Sequence, residues 1–446
     1  MKRTTAMKTT MKMTLGRLVA CLALGAMADT PTISDVVVRQ RWPWSRLVNI
    51  DYTLNCEAGK SMDVRLSAFD GTNALALPEC SLSGGLNGVS NGVQRIVWNP
   101  LKTAYTNQAL MRFNVDLAVT NTPLYVIVDL TKTNTPGQIQ YLYESDLTSG
   151  AYGTVATNPI PGVTSLVWTG VTNGTTYTTD LLVLRRVPAG SYTMQGTLAV
   201  TLTKPFYVGV FEVTQRQWER VMGIGQKPSS YNNATWYMSR PVESMQYNTI
   251  RGATNDSPVV NWPITDRTVV TASSFMGRLR SLTGIGTLDL PTEAQWEYAC
   301  RAGTTTVFND GNASASVAGA NAYTNAWLDA LGRYKFGGGY LADGVTQPLY
   351  TCAPSNGTAL AGSYLPNGWG LYDMHGNVQE YCLDWLSSPV GGVDPAGPRS
   401  TSDSKRVLRG GGAFDPANGC PSYSRNGTSP TSAGARFGFR LVWTLP

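Results

Sequence analysis

The sequence predicts two parts: an antiparallel β-sandwich domain, followed by a loop-rich domain of the α+β class. Two observations support this. Between residue 29 and about residue 130, short runs of alternating apolar and polar residues recur with glycine and asparagine turns between them, a pattern typical of sandwich strands. After about residue 182, short strands alternate with capped helical segments and long irregular stretches, which indicates a mixed domain.

Residues 1–28 have the pattern of a secretory signal peptide. A basic start leads into an apolar run that ends in an A-x-A cleavage pattern at residues 26–28. The run is too short to span a bilayer. Residues 18–21 (LVAC) also resemble a lipoprotein box, but Arg17 directly before them and the apolar residues after them favour cleavage after Ala28. We therefore expect a secreted, periplasmic or cell-surface protein without an integral membrane segment.

Composition limits the classes of partner. The chain has 446 residues, 42% hydrophobic and 14% charged, as expected of a folded protein and not of a disordered one. Its formal net charge is +6, but residues 1–28 carry five basic residues and no acid, so the remainder carries about +1. Such a balance gives no reason to expect a nucleic acid as partner.

Six cysteines follow the signal segment, and an even number in an exported protein favours disulfides. They are Cys56, Cys80, Cys300, Cys352, Cys382 and Cys420. We expect Cys56 to pair with Cys80 within the first domain. The other four allow three connectivities, which the sequence does not separate.

The first domain, residues 29–130, is expected to be a sandwich of the immunoglobulin or fibronectin kind. Its predicted strands are Ser34–Val38, Leu47–Leu54, Met62–Phe69, Val93–Trp98, Leu110–Val119 and Leu124–Leu130. No catalytic constellation appears among them, so a spacer or adhesion role is favoured. Trp42-Pro43-Trp44 is either a surface binding tip or part of the packing. Residues 131–181 are interpreted as a β-rich connector or as the end of the sandwich.

From residue 182 the predicted elements are strands and amphipathic helices. The strands are Leu182–Val187, Phe206–Val213 and two buried runs within Arg406–Phe414 and Arg436–Trp443; the helices are Arg216–Met222, Thr271–Leu282 and a third beginning after Thr292. Thr214 is a plausible N-cap. Thr292 and Gln295 form a capping box, and Gly303 is the expected C-cap.

The segment Asn367–Trp385 organises the second part. Its glycines allow conformations barred to other residues, so we predict a shaped loop and not a regular element. Asp373 and Glu380 flank a Gly-Asn turn, and hard cations such as calcium bind carboxylate and carbonyl oxygens of bent loops. The alternative is an irregular core loop that is held by the packing of its aromatic side chains, with both carboxylates solvated.

Seven ordered motifs resemble the formylglycine-generating enzyme family, also called sulfatase-modifying factors. They are VPAGSYTM, FYVGVFEVTQRQWERVMG, PVESMQYN, LPTEAQWEYACRAG, PNGWGLYDMHGNVQEY, RVLRGGG and GFRLV. The resemblance covers residues 182–446 and implies a loop-rich variant of the C-type-lectin fold. It also implies a calcium site at Asp373, Gly376, Val378 and Glu380, with Gly376 and Val378 acting through backbone carbonyls.

The resemblance also implies a copper(I) oxidase that converts a sulfatase cysteine to formylglycine through two cysteines. Those positions fall on Asp415 and Cys420, and a thiolate with a carboxylate is a poor copper(I) site. We expect Cys420 to be available for a disulfide with Cys300 or Cys382. Related iron oxygenases use three histidines, whereas this chain has only His375, for which we expect a packing or hydrogen-bonding role.

Two functions follow from these positions. The favoured one is a non-catalytic, lectin-like module on a β-sandwich stalk that binds a polypeptide or a glycan outside the cytoplasm. The alternative is a formylglycine-generating oxidase that tolerates Asp415. The sequence does not identify the ligand.

Overall fold

The computed structural model describes residues 31–444, except 41–44, 57–61, 76, 78–80, 87, 106–109, 122, 134, 136, 158–165, 253–269, 336–356, 396 and 398–403. The predicted signal peptide, the Trp42-Pro43-Trp44 segment, Cys80 and Cys352 lie outside the described residues. In the part that is described, no helix has the length and apolar character needed to cross a membrane.

The regular elements are mostly short strands. The strands are β1 (Thr32–Gln40), β2 (Val48–Asn55), β3 (Met62–Asp70), β4 (Asn73–Leu75), β5 (Leu82–Gly84), β6 (Gly92–Trp98), β7 (Phe113–Asn121), β8 (Tyr125–Asp129), β9 (Ile139–Leu142), β10 (Val155–Thr157), β11 (Leu166–Trp168), β12 (Leu181–Val187), β13 (Gly190–Met194), β14 (Leu198–Leu202), β15 (Phe206–Gly209), β16 (Leu288–Asp289), β17 (Gln379–Trp385), β18 (Gly392–Val393), β19 (Arg406–Arg409), β20 (Arg425–Thr428), β21 (Phe437–Gly438) and β22 (Val442–Thr444). The α-helices are α1 (Glu144–Thr148), α2 (Thr176–Thr179), α3 (Gln215–Met222), α4 (Tyr247–Ile250), α5 (Phe275–Thr283) and α6 (Glu293–Arg301).

The N-terminal strands form two antiparallel sheets. Their orders are β1-β2-β6-β5 and β4-β3-β7. Alternation along β2 buries Ile50, Tyr52 and Leu54, which lie in one hydrophobic cluster with Ile96 of β6 and Val64 of β3. Side chains that alternate along a strand point to opposite faces, so the apolar face of each sheet contributes to this shared cluster.

The C-terminal part is built on an antiparallel sheet of order β16-β22-β15-β12-β8-β9. The strand β8, which the sequence assigned to the end of the first domain, pairs with β12 in this sheet. Its run Tyr125–Val128 is buried without alternation, as expected of a strand covered on both faces. This sheet thus joins β8, from the first third of the chain, with β22, the last strand.

A smaller sheet of order β20-β19-β17-β21 positions the site. The sequence placed the whole of Asn367–Trp385 in a loop, and that prediction is wrong for its last seven residues, because Gln379–Trp385 forms β17. β17 is buried almost throughout and pairs with β19 and β21. Continuous burial removes the apolar–polar alternation by which sequence analysis finds a strand.

Local capping chemistry explains where two helices begin. Thr214 caps α3 and Thr292 caps α6, each in a complete capping box with Gln217 or Gln295 at the third helical position. Both predicted N-caps are therefore confirmed, since each box satisfies backbone donors that the first turn leaves unpaired.

Two predicted helix ends differ from the structure. The helix predicted from Thr271 begins only at Phe275, because Ser274 is the N-cap. At the end of α6 the left-handed C-cap is Ala302, with φ +46°, and not Gly303. Ala302 is fully buried, so its packing offsets the small cost of this conformation.

Candidate functional site

A polar cleft contains Asp415, the first of the two predicted copper positions. Its volume is about 150 Å³. It is lined by Gln379, Leu408, Gly411, Asp415, Gly419, Ser424, Arg425 and Asn426. The start of β17, the end of β19, the β19–β20 loop and the start of β20 therefore contribute its walls. Asp415 was predicted from the sequence; Ser424, Arg425 and Asn426 were not.

Asp415 is fixed at the cleft wall by its backbone and its side chain. Its N–H donates to Gly412 O (2.9 Å), and its carbonyl accepts from Lys335 N (2.9 Å). Its Oδ2 accepts a 2.5 Å hydrogen bond from Gln379 Nε2. Its Oδ1 lies 3.6 Å from Nη1 of Arg436, a side chain that is 47% exposed. That distance exceeds a direct hydrogen bond, so Arg436 is only a loose partner of Oδ1.

A row of hydrogen-bonded side chains crosses the cleft. Gln379 joins Asp415 to Asn426, because its Oε1 accepts from Asn426 Nδ2 (3.3 Å) while its Nε2 donates to Asp415. Ser424 lies beside this row. The row thus offers a carboxylate, two amides and a hydroxyl, groups that recognise polar atoms.

Cys420 is fully buried next to Gly411 of the cleft lining. Its Sγ is 3.8 Å from Pro416 O. A Cβ added to Gly411, whose φ is +69°, would lie 2.6 Å from this sulfur, so only glycine fits there. Burial, reinforced by the negative charge of Asp415, raises the pKa of the Cys420 thiol well above its usual range. The thiol is therefore protonated at neutral pH.

These residues do not fit the copper(I) site that the resemblance implies. Copper(I) prefers soft thiolates. The structure offers one buried, protonated thiol and one hard carboxylate, which already accepts a hydrogen bond from Gln379.

The expected disulfides among the described C-terminal cysteines are not formed. Cys300, Cys382 and Cys420 are all free and fully buried. Burial raises the pKa of Cys300 to about 12 and that of Cys382 well above its usual range. The prediction that Cys420 pairs with Cys300 or Cys382 is wrong, because each sulfur instead fills its own place in the core.

The predicted calcium residues lie in a separate, buried cluster around Arg440. Asp373, in the left-handed region at φ +55°, accepts Gly362 N through Oδ2 (2.7 Å), while its Oδ1 is a buried acceptor without a hydrogen-bond partner. Both Glu380 oxygens accept from Arg440 at 2.6 Å, and Oε2 also accepts from Trp296 Nε1 (2.7 Å).

The fit to calcium is accordingly partial. The orphan oxygen of Asp373 matches a hard cation, whereas a calcium ion bound to Glu380 would share that carboxylate with a guanidinium. Within the described ranges, no three His, Cys, Asp or Glu side chains come close enough to form a metal site. The carbonyl roles assigned to Gly376 and Val378 stay a prediction.

Sequence analysis did not identify Glu212 as part of this cluster. Its Oε2 accepts from Asn377 Nδ2 (2.6 Å) and its Oε1 from Val378 N (3.1 Å), so it holds the Gly-Asn turn in place. Burial, followed by repulsion from Asp373 and Glu380, raises the pKa of Glu212 well above its usual range. Its position 165 residues before Asn377 leaves no local signal for this contact.

His375 has the hydrogen-bonding role that the sequence predicted. Its Nδ1 lies 2.8 Å from Cys420 O, and its Nε2 accepts from Asn309 N (3.1 Å). Nε2 therefore carries no proton, and Nδ1–H donates to the carbonyl. Burial lowers the pKa of His375 to about 4. The neutral ring ties the β19–β20 loop to the segment before β17.

A buried ion network supports the far wall of the cleft. Arg425 donates to both oxygens of Glu293 (2.5 and 2.6 Å) and to Ser387 O (2.7 Å). Glu293 also pairs with Arg409 (3.4 Å), which reaches Glu297 at 2.5 Å. The charge of Arg425 is thus balanced within the fold, and this network joins β20 to α6.

Comparison with known proteins links most of the chain to one domain family. Residues 173–445 match the model of the sulfatase-modifying factor enzyme 1-like domain. The formylglycine-generating enzyme of Streptomyces coelicolor is 36% identical over 166 residues, which cover 34% of this chain and 46% of that protein. The corresponding enzyme of Thermomonospora curvata is 33% identical over 163 residues, covering 34% and 48%. The chain thus spans about half the length of these relatives.

Other similarities extend further along the chain. The chaperone protein LppX of Paenibacillus barcinonensis is 29% identical over 269 residues, which cover 55% of this chain and 83% of that protein. Among solved structures, Treponema denticola variable protein 1 has a TM-score of 0.42 and 24% identity, over 59% of this chain and 96% of its own.

Proposed function

The chain belongs to the sulfatase-modifying factor family, and we propose that it is a non-catalytic member that binds a polar polypeptide or glycan ligand at the Asp415 cleft. The observation that carries this proposal is the state of the two copper positions. Asp415 is hydrogen-bonded to Gln379, and Cys420 is a buried thiol with a raised pKa.

Copper chemistry would need two soft thiolates at these positions. A carboxylate is a hard ligand, and binding to Cys420 alone would have to displace the proton of a buried thiol whose pKa is raised. Binding to copper would also require Asp415 to give up its hydrogen bond to Gln379. These costs favour a site that recognises a ligand over one that activates oxygen.

The cleft itself has the features of a recognition site. Binding pockets fix a ligand through a few well-placed polar groups on otherwise fixed walls. Here the Asp415–Gln379–Asn426 row supplies those groups, and the Arg425–Glu293 pair supports the wall behind them. The cleft is smaller than a drug-sized pocket, which is about 300 Å³ or more, so it accepts one side chain or one sugar ring of a larger ligand.

The remaining parts of the chain fit this role as proposals. The N-terminal pair of sheets would form the β-sandwich stalk, and the C-terminal part would be the C-type-lectin variant that carries the cleft. Export through residues 1–28 would place both outside the cytoplasm. A structural calcium ion at Asp373 would stabilise the loop behind the cleft.

The second candidate is a formylglycine-generating oxidase. Two observations favour it: the relatives named as formylglycine-generating enzymes and the retention of Cys420 beside the cleft. In this case Cys420 would be the only thiol of the protein that binds copper, and the enzyme would still convert the cysteine of a sulfatase-type peptide.

Copper(I) affinity separates the two candidates. Wild-type protein and the variant Asp415→Cys would compete with a colorimetric chelator for copper(I) under anaerobic conditions. The proposal predicts no stoichiometric retention by the wild type and clear retention by the variant. Asp51→Cys, which changes a carboxylate in the N-terminal sheets, is the matched control. Stoichiometric retention by the wild type would contradict the proposal.

A further inference from the structure

The cleft residues also indicate which ligand chemistry fits. We infer that the cleft binds a basic side chain, arginine or lysine, of a polypeptide; this inference rests on the proposed binding function. Asp415 is the charged lining residue whose ion-pair partner is held loosely, because Nη1 of the 47% exposed Arg436 lies 3.6 Å from its Oδ1. The other charged lining residue, Arg425, is neutralised by both oxygens of Glu293. The cleft therefore presents one carboxylate, and it disfavours an anion.

The hydrogen-bonding pattern around Asp415 leaves room for a cation. Gln379 occupies Oδ2 at 2.5 Å, whereas Oδ1 has Arg436 at 3.6 Å, beyond direct hydrogen-bond length. A guanidinium or an ammonium entering the cleft would reach Oδ1 and the oxygens of Ser424 and Asn426 as further acceptors.

The size of the cleft agrees with a single side chain. A cavity of 150 Å³ accommodates a molecule of about the size of benzene. The described lining includes no aromatic ring, so the stacking surface on which a sugar ring would rest is lacking there. These two observations favour a polypeptide side chain over a glycan.

Arg436 is the internal competitor of the ligand. Its side chain is 47% exposed and belongs to the same chain, so it already places a guanidinium near Asp415. An exposed pair of this kind contributes little to stability, and a ligand can displace it. The backbone at this position is fixed separately, because Arg436 O accepts from Gln379 N (2.7 Å). Removing the side chain should therefore open the site without disturbing the fold.

The test uses the full chain and N-acetyl-L-arginine methylamide, with the uncharged isostere N-acetyl-L-citrulline methylamide and a set of methyl hexopyranosides as comparison probes. Affinities come from ligand-observed NMR titrations. We expect the arginine probe to bind and citrulline to bind about fivefold more weakly, the factor for one partly exposed ion pair. Asp415→Asn should weaken arginine binding about fivefold, and Arg436→Gln should strengthen it severalfold.

Arg39→Gln is the matched control. Arg39 is an exposed arginine, 63% accessible, that pairs with Asp51 in the N-terminal sheets, and Asp51 has the same 16% side-chain exposure as Asp415. This substitution should leave binding unchanged.

The failures are distinguishable. Binding of a hexopyranoside but not of the arginine probe would overturn the basic-side-chain inference and leave the binding function standing. Binding of neither probe set, together with oxidation of a sulfatase-type peptide, would overturn both. Equal affinity for arginine and citrulline, or an Asp415→Asn variant that binds as well as wild type, would overturn the inference alone.

Discussion

Replacing Arg409 by methionine should destabilise the C-terminal part more than any substitution at the rim of the cleft. The Arg409 side chain is fully buried, and it pairs with Glu297 (2.5 Å) and Glu293 (3.4 Å). It also donates to the carbonyls of Ser422 and Tyr423. Removing one partner of a buried pair leaves an uncompensated charge, which costs about 3–5 kcal/mol.

The lower end of that range applies here. Glu297 keeps Arg301 at 2.8 Å, and Glu293 keeps Arg425 at 2.5 Å, so each acid retains one cation. We therefore expect a loss of about 3 kcal/mol. For a domain of this size, that loss corresponds to a fall in melting temperature of roughly 6–12 °C.

The assay is urea and thermal unfolding followed by circular dichroism, with Arg425→Met as the matched control. Arg425 is 16% exposed and reaches one carboxylate, which keeps Arg409, so its removal should cost less than the removal of Arg409. If Arg409→Met lies within about 1 kcal/mol of wild type, or costs less than Arg425→Met, the buried network does not support the cleft wall as argued.

Three further outcomes are expected. A thiol reagent should not modify Cys300, Cys382 or Cys420 in the folded protein, because all three are buried with raised pKa values. Mass spectrometry should show them modified only after denaturation, and rapid labelling of the native state would refute this. Burial raises the pKa of Asp384 to about 6, above the unfolded value of about 3.9. Between these two pH values the folded state binds more protons than the unfolded state, so the free energy of unfolding should fall by about 2 kcal/mol as pH rises from 4 to 7. The Asp384→Asn variant should lack this pH-dependent loss, and an identical pH profile of stability in both proteins would contradict the prediction. Calcium bound through Asp373 should stabilise the fold by about 2.7 kcal/mol at a hundredfold excess over Kd and so raise the melting temperature, and Asp373→Ala should abolish this rise. An equal melting temperature of the wild type in calcium and in chelator would contradict calcium binding at this cluster.

The elements that sequence analysis predicted well are those with local causes. Thr214 and Thr292 cap their helices through residues three positions away, and the strands of the first part follow from period-two alternation. The elements that it missed depend on contacts distant in sequence. β17 loses its alternation because both faces are buried. The strand β8 enters the C-terminal sheet through pairing with β12.

For the candidate site, too, sequence analysis identified the residues that have a local signal and missed those that packing brings together. Asp415 and Cys420 were predicted because a motif fixes their register, and Asp373 and Glu380 because they flank a Gly-Asn turn; the roles of all four stay a prediction. Glu212 and Arg425 gave no signal, since each is brought to its cluster by the packing of separate elements. Burial also decided the state of Cys420, which spacing alone had left open to a disulfide.

The most direct test of the central claim is turnover. The chain from Asp29 onward would be incubated with copper(I), oxygen, a reductant and a Cys-x-Pro-x-Arg peptide, and mass spectrometry would follow the peptide. A formylglycine-generating enzyme from one of the relatives would serve as the positive control. We expect the peptide cysteine to stay unconverted by this chain while the positive control converts it. Conversion to formylglycine by this chain, lost in Cys420→Ser, would contradict the claim that the Asp415 cleft is a binding site without catalysis.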